Sequence, residues 1–208
     1  AYGTSAIRET ENTTIVQDRI AQRTGIKVEI LNNSEQRFMD YKSVASKGES
    51  FRKIIEEKTA ILDIGGGSIQ LSLFDNDTLV STQNVRLGVL RIQDYLNRFD
   101  VKGSQMEEVI YEMAMARLDT YEKLYLKDRG IQNLIIVDDY LSPWAVKKNG
   151  GDSARAVLDA ESFGRVFEVL RSQNPVKIAT AMDIPQERIP LVFISAVLIK
   201  CIAELMGV

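Results

Sequence analysis

The run Asp63-Ile64-Gly65-Gly66-Gly67-Ser68 constrains this chain more than any other stretch. Consecutive glycines weaken helix and strand alike, and they let another group come close to the backbone. Before them, Thr59–Ile64 is mostly apolar; after them, Ile69, Leu71 and Leu73 alternate with Gln70 and Ser72. That pattern reads as strand, glycine turn, strand. In such a turn several N–H groups can converge on one point with no side chain in the way, forming an anion nest. Asp63 adds a carboxylate beside the nest, which makes sense next to phosphate mainly through a divalent cation or its waters. A Walker loop is excluded because no lysine follows the glycines. A dinucleotide fingerprint is excluded because it needs a helix after them. The plain alternative is a tight glycine corner that binds nothing.

Around this turn the periodicities lay out an α/β chain. Helices are predicted at about Glu9–Arg23, ended by Gly25, and at Glu35–Ser46. Ile15, Ile20 and Ala21 are candidate buried positions of the first; Phe38, Tyr41 and Val44 mark a helical face on the second. Ile26–Leu31 reads as a short strand, and Asn32-Asn33-Ser34 as turn and N-cap chemistry. Charged Lys47–Lys58 reads as a crossover or hinge between two lobes. Asp75-Asn76-Asp77 turns the chain into a third strand, Leu79–Val85. Further helices follow at about Leu90–Phe99, Met106–Lys127, Ala160–Ser172, Val176–Met182 and Leu191–Met206. In the second of these, Val109, Ile110, Met113, Leu118, Tyr121 and Leu124 form the apolar set. Asn133–Val137 is an apolar strand of the kind found inside a covered sheet.

Composition excludes several kinds of function. The chain has 208 residues and no histidine, which rules out a Ser-His-Asp or Cys-His engine and any His-ligated metal. With 26 Lys+Arg against 29 Asp+Glu, the net charge of −3 argues against a nucleic-acid binder, and Lys147-Lys148 is too short a basic run to change that. The single cysteine, Cys201, lies in an apolar run and reads as a packing residue. Lack of an intramolecular disulfide fits a cytoplasmic protein. Leu191–Met206, interrupted by Lys200 and Glu204, is short and charged for a bilayer span, so no membrane role is expected.

The strand–glycine turn–strand unit fits the phosphate hairpins of actin-like ATPases, and a longer set of motifs narrows this. In order along the chain stand Gly3-Thr4-Ser5-Ala6-Ile7-Arg8 with Asn12, Thr24–Ile30, Asp63–Ser68 with Gln70-Leu71, Leu87-Gly88, and Glu187-Arg188. This ordered set resembles the exopolyphosphatase / guanosine pentaphosphate phosphatase family of the actin-like ATPase superfamily. The resemblance implies an actin-like (ribonuclease H-like) lobe with a mixed sheet flanked by helices at 51–208, and the tail of another lobe at 1–50. It implies release of terminal phosphate from polyphosphate or guanosine pentaphosphate by water attack in a cleft between lobes. Arg8, Gly65, Gly66, Gly67 and Ser68 would hold phosphates, Asp63 would hold Mg2+ or its water, and a glutamate early in the helix at Glu35 and Gln36 would orient the water. Such catalysis is mostly positioning and electrostatic stabilisation. The resemblance also favours a homodimer.

The departures from the family pattern are specific. The catalytic glutamate's place falls on Gln36, with Glu35 one residue earlier and roughly 100° around a helix. An amide accepts no proton, and loss of a general base typically costs ~10²–10⁴ in rate. A second family glutamate falls on Gln70, which weakens a conventional metal site around Asp63. The glycine-rich third phosphate loop is replaced by Asp138-Asp139-Tyr140-Leu141-Ser142, read either as a cation-binding pair or as a turn and N-cap. The family's early Asp-x-Gly-Ser-Asn-Ser segment is absent, so the chain is expected to be a fragment without useful turnover alone. Arg86 and Arg91 are cleft candidates or solvated structural arginines, and Trp144 is expected to cover the core edge.

Two function classes therefore stay open: a phosphohydrolase, and a non-hydrolysing sensor of polyphosphate or guanosine tetra/pentaphosphate. An actin-like ATPase or kinase ranks third, since no adenosine-pocket signature is recognisable.

Overall fold

A computed structural model of the chain describes residues 1–46, 48–127, 129–151, 156–172 and 174–208. The chain divides into two compact units, Ala1–Phe51 and Arg52–Val208.

In the first unit, β1 (Tyr2–Gly3) pairs in parallel with β2 (Glu29–Ile30), and the Ala1 ammonium donates to the Lys27 carbonyl at 2.9 Å. Between the strands lie α1 (Ser5–Arg8) and α2 (Thr13–Thr24). The helix expected from Glu9 is therefore corrected to start at Thr13, and α1, which ends before Glu9, was not anticipated. Thr10 marks the break: its carbonyl accepts from the Thr13 hydroxyl, which also bonds the Ile7 carbonyl. Gly25 stops α2 in a left-handed conformation at φ 71°, as predicted. Among the described residues of α1 and α2 none is buried, and Ile15, expected inside, is 59% exposed. The helix α3 spans Asn33–Ala45, with Phe38 and Tyr41 exposed rather than inward. The Val44 side chain and Lys47 lie outside the described residues. The segment read as a hinge is largely helical, as α4 (Glu49–Glu56), and the division between units falls within it.

The second unit is built on a four-stranded mixed sheet in the order β5-β4-β3-β6. β3 (Thr59–Ile64) and β4 (Ile69–Asp75) are antiparallel, joined by the glycines. Asn76 and Asp77, both with positive φ, make the two-residue turn into β5 (Thr78–Val85), the geometry that matches strand twist. After α5 (Val89–Arg98) and α6 (Gln105–Tyr121) the chain returns as β6 (Asn133–Asp138), parallel to β3. α6 does not run on to Lys127 as one α-helix; Glu122–Leu126 winds more widely, with i→i+5 bonding, and leaves Leu124 67% exposed. β6 is an edge strand of the sheet with half-buried residues throughout, not the covered strand its composition predicts.

Three more helices, α7 (Ser142–Lys148), α8 (Ala160–Arg171) and α9 (Pro175–Met182), precede α10 (Ile189–Met206). α7 was not anticipated. α10 has the length and apolarity of a membrane span, yet most of it is buried inside this unit. It packs against α5, α6 and α8. Its inward residues join Leu62, Leu71, Leu73, Ile92, Ile110 and Leu118 in one core. Trp144 packs at that core's margin, as expected.

Candidate functional site

The glycine turn owes its shape to close contact with the start of α5. Gly65 N–H donates to the Ser68 carbonyl at 3.0 Å and closes the turn. The α5 amides then bond the loop from outside: Val89 N–H to Gly65 O at 3.0 Å, Leu90 N–H to Gly66 O at 3.0 Å, and Arg91 N–H to Gly66 O at 3.2 Å. The Arg91 side chain donates from Nε to the Gly67 carbonyl at 3.0 Å. Loop carbonyls thus satisfy the first amides of α5, a job usually done by a side-chain cap. The Gly66, Gly67 and Ser68 amides have no acceptor among the described residues.

The glycines serve close approach, not left-handed backbone. None of Gly65, Gly66 and Gly67 has positive φ. A Cβ on Gly66 would lie 2.8 Å from Leu90 Cδ1, and one on Gly88 would lie 2.3 Å from the Gly66 carbonyl oxygen. The Leu87-Gly88 step and the glycine loop, two separate motifs in the sequence, are two sides of one backbone contact.

Beside the loop, the ladder registers align a polar row. Asp63 on β3 stands opposite Gln70 on β4, and Gln70 stands opposite Asn84 on β5. Residues directly opposite share a face of the sheet. Gln70 is 5% exposed and Asp63 half-buried. Asn84 Nδ2 donates to Ser68 Oγ at 3.1 Å, so the outer strand reaches back to the loop. Sequence reasoning missed Asn84. The signal was present in the hairpin spacing that sets it opposite Gln70, but only the register turns that spacing into a contact.

The β6–α7 segment resolves the two readings of its acidic pair. Ile64 pairs with Asp138, which places this carboxylate at the strand end next to the loop. Asp138 Oδ2 accepts from Leu141 N–H at 2.9 Å and from the Ser195 hydroxyl at 2.6 Å; Oδ1 accepts from Ser142 N–H at 2.6 Å. It is a turn and helix-start residue. Asp139 is exposed, and its carbonyl accepts from Arg188 at 3.1 Å. Burial, with Asp139 and Asp138 nearby, pushes the Tyr140 hydroxyl above its usual pKa, so the ring stays neutral.

In the first unit, Arg8 and the start of α3 meet. Arg8 Nη1 donates to the Leu31 carbonyl at 2.6 Å. One residue on, Asn32 Oδ1 accepts from Ser34 N–H at 2.8 Å and Glu35 N–H at 2.9 Å, while Glu35 Oε2 accepts from Asn32 N–H at 2.8 Å. That reciprocal pair is a capping box, with Asn in the usual Ser/Thr place. Glu35 is therefore engaged in starting the helix. Gln36 Oε1 is buried and has no hydrogen-bond partner among the described residues. Arg86 is exposed and makes interactions of its own.

These residues do not fit a resident Mg2+. Among the described residues no group of three or more acidic, cysteine or histidine side chains comes together. Beside the loop, Asp63 faces an amide at Gln70, and Asp138 already accepts three hydrogen bonds.

Comparison with known proteins agrees with this architecture. The fold matches that of the crystal structure of an exopolyphosphatase from Cytophaga hutchinsonii, with TM-score 0.71 and 19% identity, covering 99% of this chain and 67% of that one. It also matches a Ppx/GppA protein from Aquifex aeolicus, with TM-score 0.66 and 13% identity, covering 100% and 66%. A bifunctional 3-dehydroquinate synthase/phosphatase of Fusobacterium nucleatum is 25% identical over 93 residues, 45% of this chain. The chain spans 14% of that relative's length. The mixed sheet flanked by helices expected from the motifs is thus the fold observed, and with the family's model matching residues 1–204, the chain belongs to the Ppx/GppA phosphatase family.

Proposed function

We propose that the protein is a phosphohydrolase of exopolyphosphatase type, releasing terminal phosphate from polyphosphate or guanosine pentaphosphate. One observation carries the reading: in the loop Gly65–Ser68 the carbonyls of Gly65, Gly66 and Gly67 are tied to α5, and among the described residues the Gly66, Gly67 and Ser68 amides have no acceptor. An anion with several oxygens suits such a group of donors, and a phosphate chain presents them in series. The resemblance to an exopolyphosphatase and membership of a phosphatase family support the choice of phosphate over other anions. Arg8, half-buried and anchored through the Leu31 carbonyl, is the phosphate contact proposed in the first unit.

A second reading has its own support. Glu35 is taken up by the capping box, and Gln36 cannot accept a proton. A protein so equipped would bind phosphate chains or guanosine tetraphosphate as a sensor, without turnover. Phosphate release from polyphosphate and guanosine pentaphosphate, measured for wild type and Gln36→Glu with binding in parallel, separates the two. Wild-type turnover supports the hydrolase. Tight binding with turnover only in Gln36→Glu rejects it in favour of the sensor.

A further inference from the structure

The polar row beside the loop has a chemistry that the phosphatase reading does not use. Ser68 is 8% exposed, and its Oγ accepts from Asn84 Nδ2. A hydroxyl that accepts one hydrogen bond still has its own proton to donate. Asn84 therefore turns the Ser68 O–H away from the sheet and makes it a donor at the loop. Gln70 lies between Asn84 and Asp63 on the same face, 5% exposed, and no described residue bonds its amide. An amide N–H with no protein acceptor can be given to a ligand oxygen at the loop. The row holds a single negative charge, at Asp63. A glutamate at position 70 would set two carboxylates opposite each other, with Cβ atoms about 4.5–5.5 Å apart. Such a pair needs a cation; carboxylate opposite amide does not.

Resting on the phosphate-binding reading of the loop, the geometry points to a grip on phosphate chains that needs no divalent cation. In it Gln70 and Ser68 donate directly to phosphate oxygens beside the Gly66 and Gly67 amides. Asn84 is the positioning residue that orients the Ser68 hydroxyl. The amides of α5 take no part, because loop carbonyls already hold them.

Calorimetric titration with tripolyphosphate at constant ionic strength, in EDTA and in Mg2+, tests this on the whole chain. Wild type is expected to bind in EDTA about as tightly as in Mg2+. Gln70→Glu should weaken binding in EDTA by about tenfold or more, the scale of one charge-assisted hydrogen bond, with Mg2+ restoring it. Asn84→Asp draws the Ser68 proton inward and adds charge, so it should weaken binding by about as much. Circular dichroism and melting curves verify that both nearly isosteric variants fold, and the wild-type comparison requires no variant. Wild-type binding only with Mg2+ overturns this inference and leaves the phosphatase reading standing. Variants that bind like wild type in EDTA also overturn it. No binding in either buffer removes both.

Discussion

Gly88 lies so close to Gly66 that a Cβ on Gly88 would stand 2.3 Å from the Gly66 carbonyl oxygen. Backbone meets backbone here, and no rotamer can relieve it. Gly88→Ala must push α5 away from the loop and break the Val89, Leu90 and Arg91 amide bonds to Gly65 and Gly66. We expect a loss of about 1–3 kcal/mol or more in urea unfolding. Gly66→Ala meets only the end of the exposed Leu90 side chain, and should cost clearly less. Equal costs for the two would contradict the contact.

The Asp138–Ser195 hydrogen bond ties the β6–α7 turn to the core helix. Ser195 is fully buried, and its hydroxyl is one of three donors on the carboxylate. Ser195→Ala should lower unfolding free energy by about 1.5–3 kcal/mol, the range for a hydrogen bond to a charged group. Asp138→Ala leaves the hydroxyl and two amides without their acceptor and should cost more. A denaturant series on both variants checks the order.

Much of the second unit was legible because strand alternation and turn chemistry are local. Thr59–Ile64 and the Asp75–Asp77 turn stand where the pattern put them. The first unit was less so. Phe38 and Tyr41 mark a helical face, but spacing cannot say whether anything covers it, and both are exposed. β1 is two residues long and carries no periodicity at all. β6 has the composition of a covered strand, yet it is an edge of this sheet. At the site, the loop was legible as a glycine motif, while its contacts with Gly88, Asn84 and Arg91 depend on register and helix placement.

Cys201 gives a pH test. Burial, chiefly, raises its thiol from the usual 9.0 to about 11. The folded state thus holds its proton more tightly than the unfolded chain. Its contribution to stability is present below pH 9 and is lost as pH rises towards 11. Unfolding free energy of wild type should fall over that window more steeply than that of Cys201→Ala. A thiol reagent at pH 8 should react slowly with native protein and quickly in denaturant.

The capping box at Asn32 and Glu35 predicts a modest, additive weakness. Asn32→Ala removes the acceptor for two amides and should cost about 1 kcal/mol. Helical signal in far-ultraviolet circular dichroism and a denaturant midpoint measure it. An unchanged midpoint would mean that α3 starts elsewhere, and would return Glu35 to the candidates for activating water.

The central claim is that Gly66, Gly67 and Ser68 amides hold phosphate. Amide chemical shifts of 15N-labelled protein, followed through a tripolyphosphate titration, test it most directly. The account predicts that these three resonances move together and saturate at one affinity, with Asn84 and Gln70 side-chain amides moving alongside. Saturable binding that leaves all three amides unmoved would contradict it.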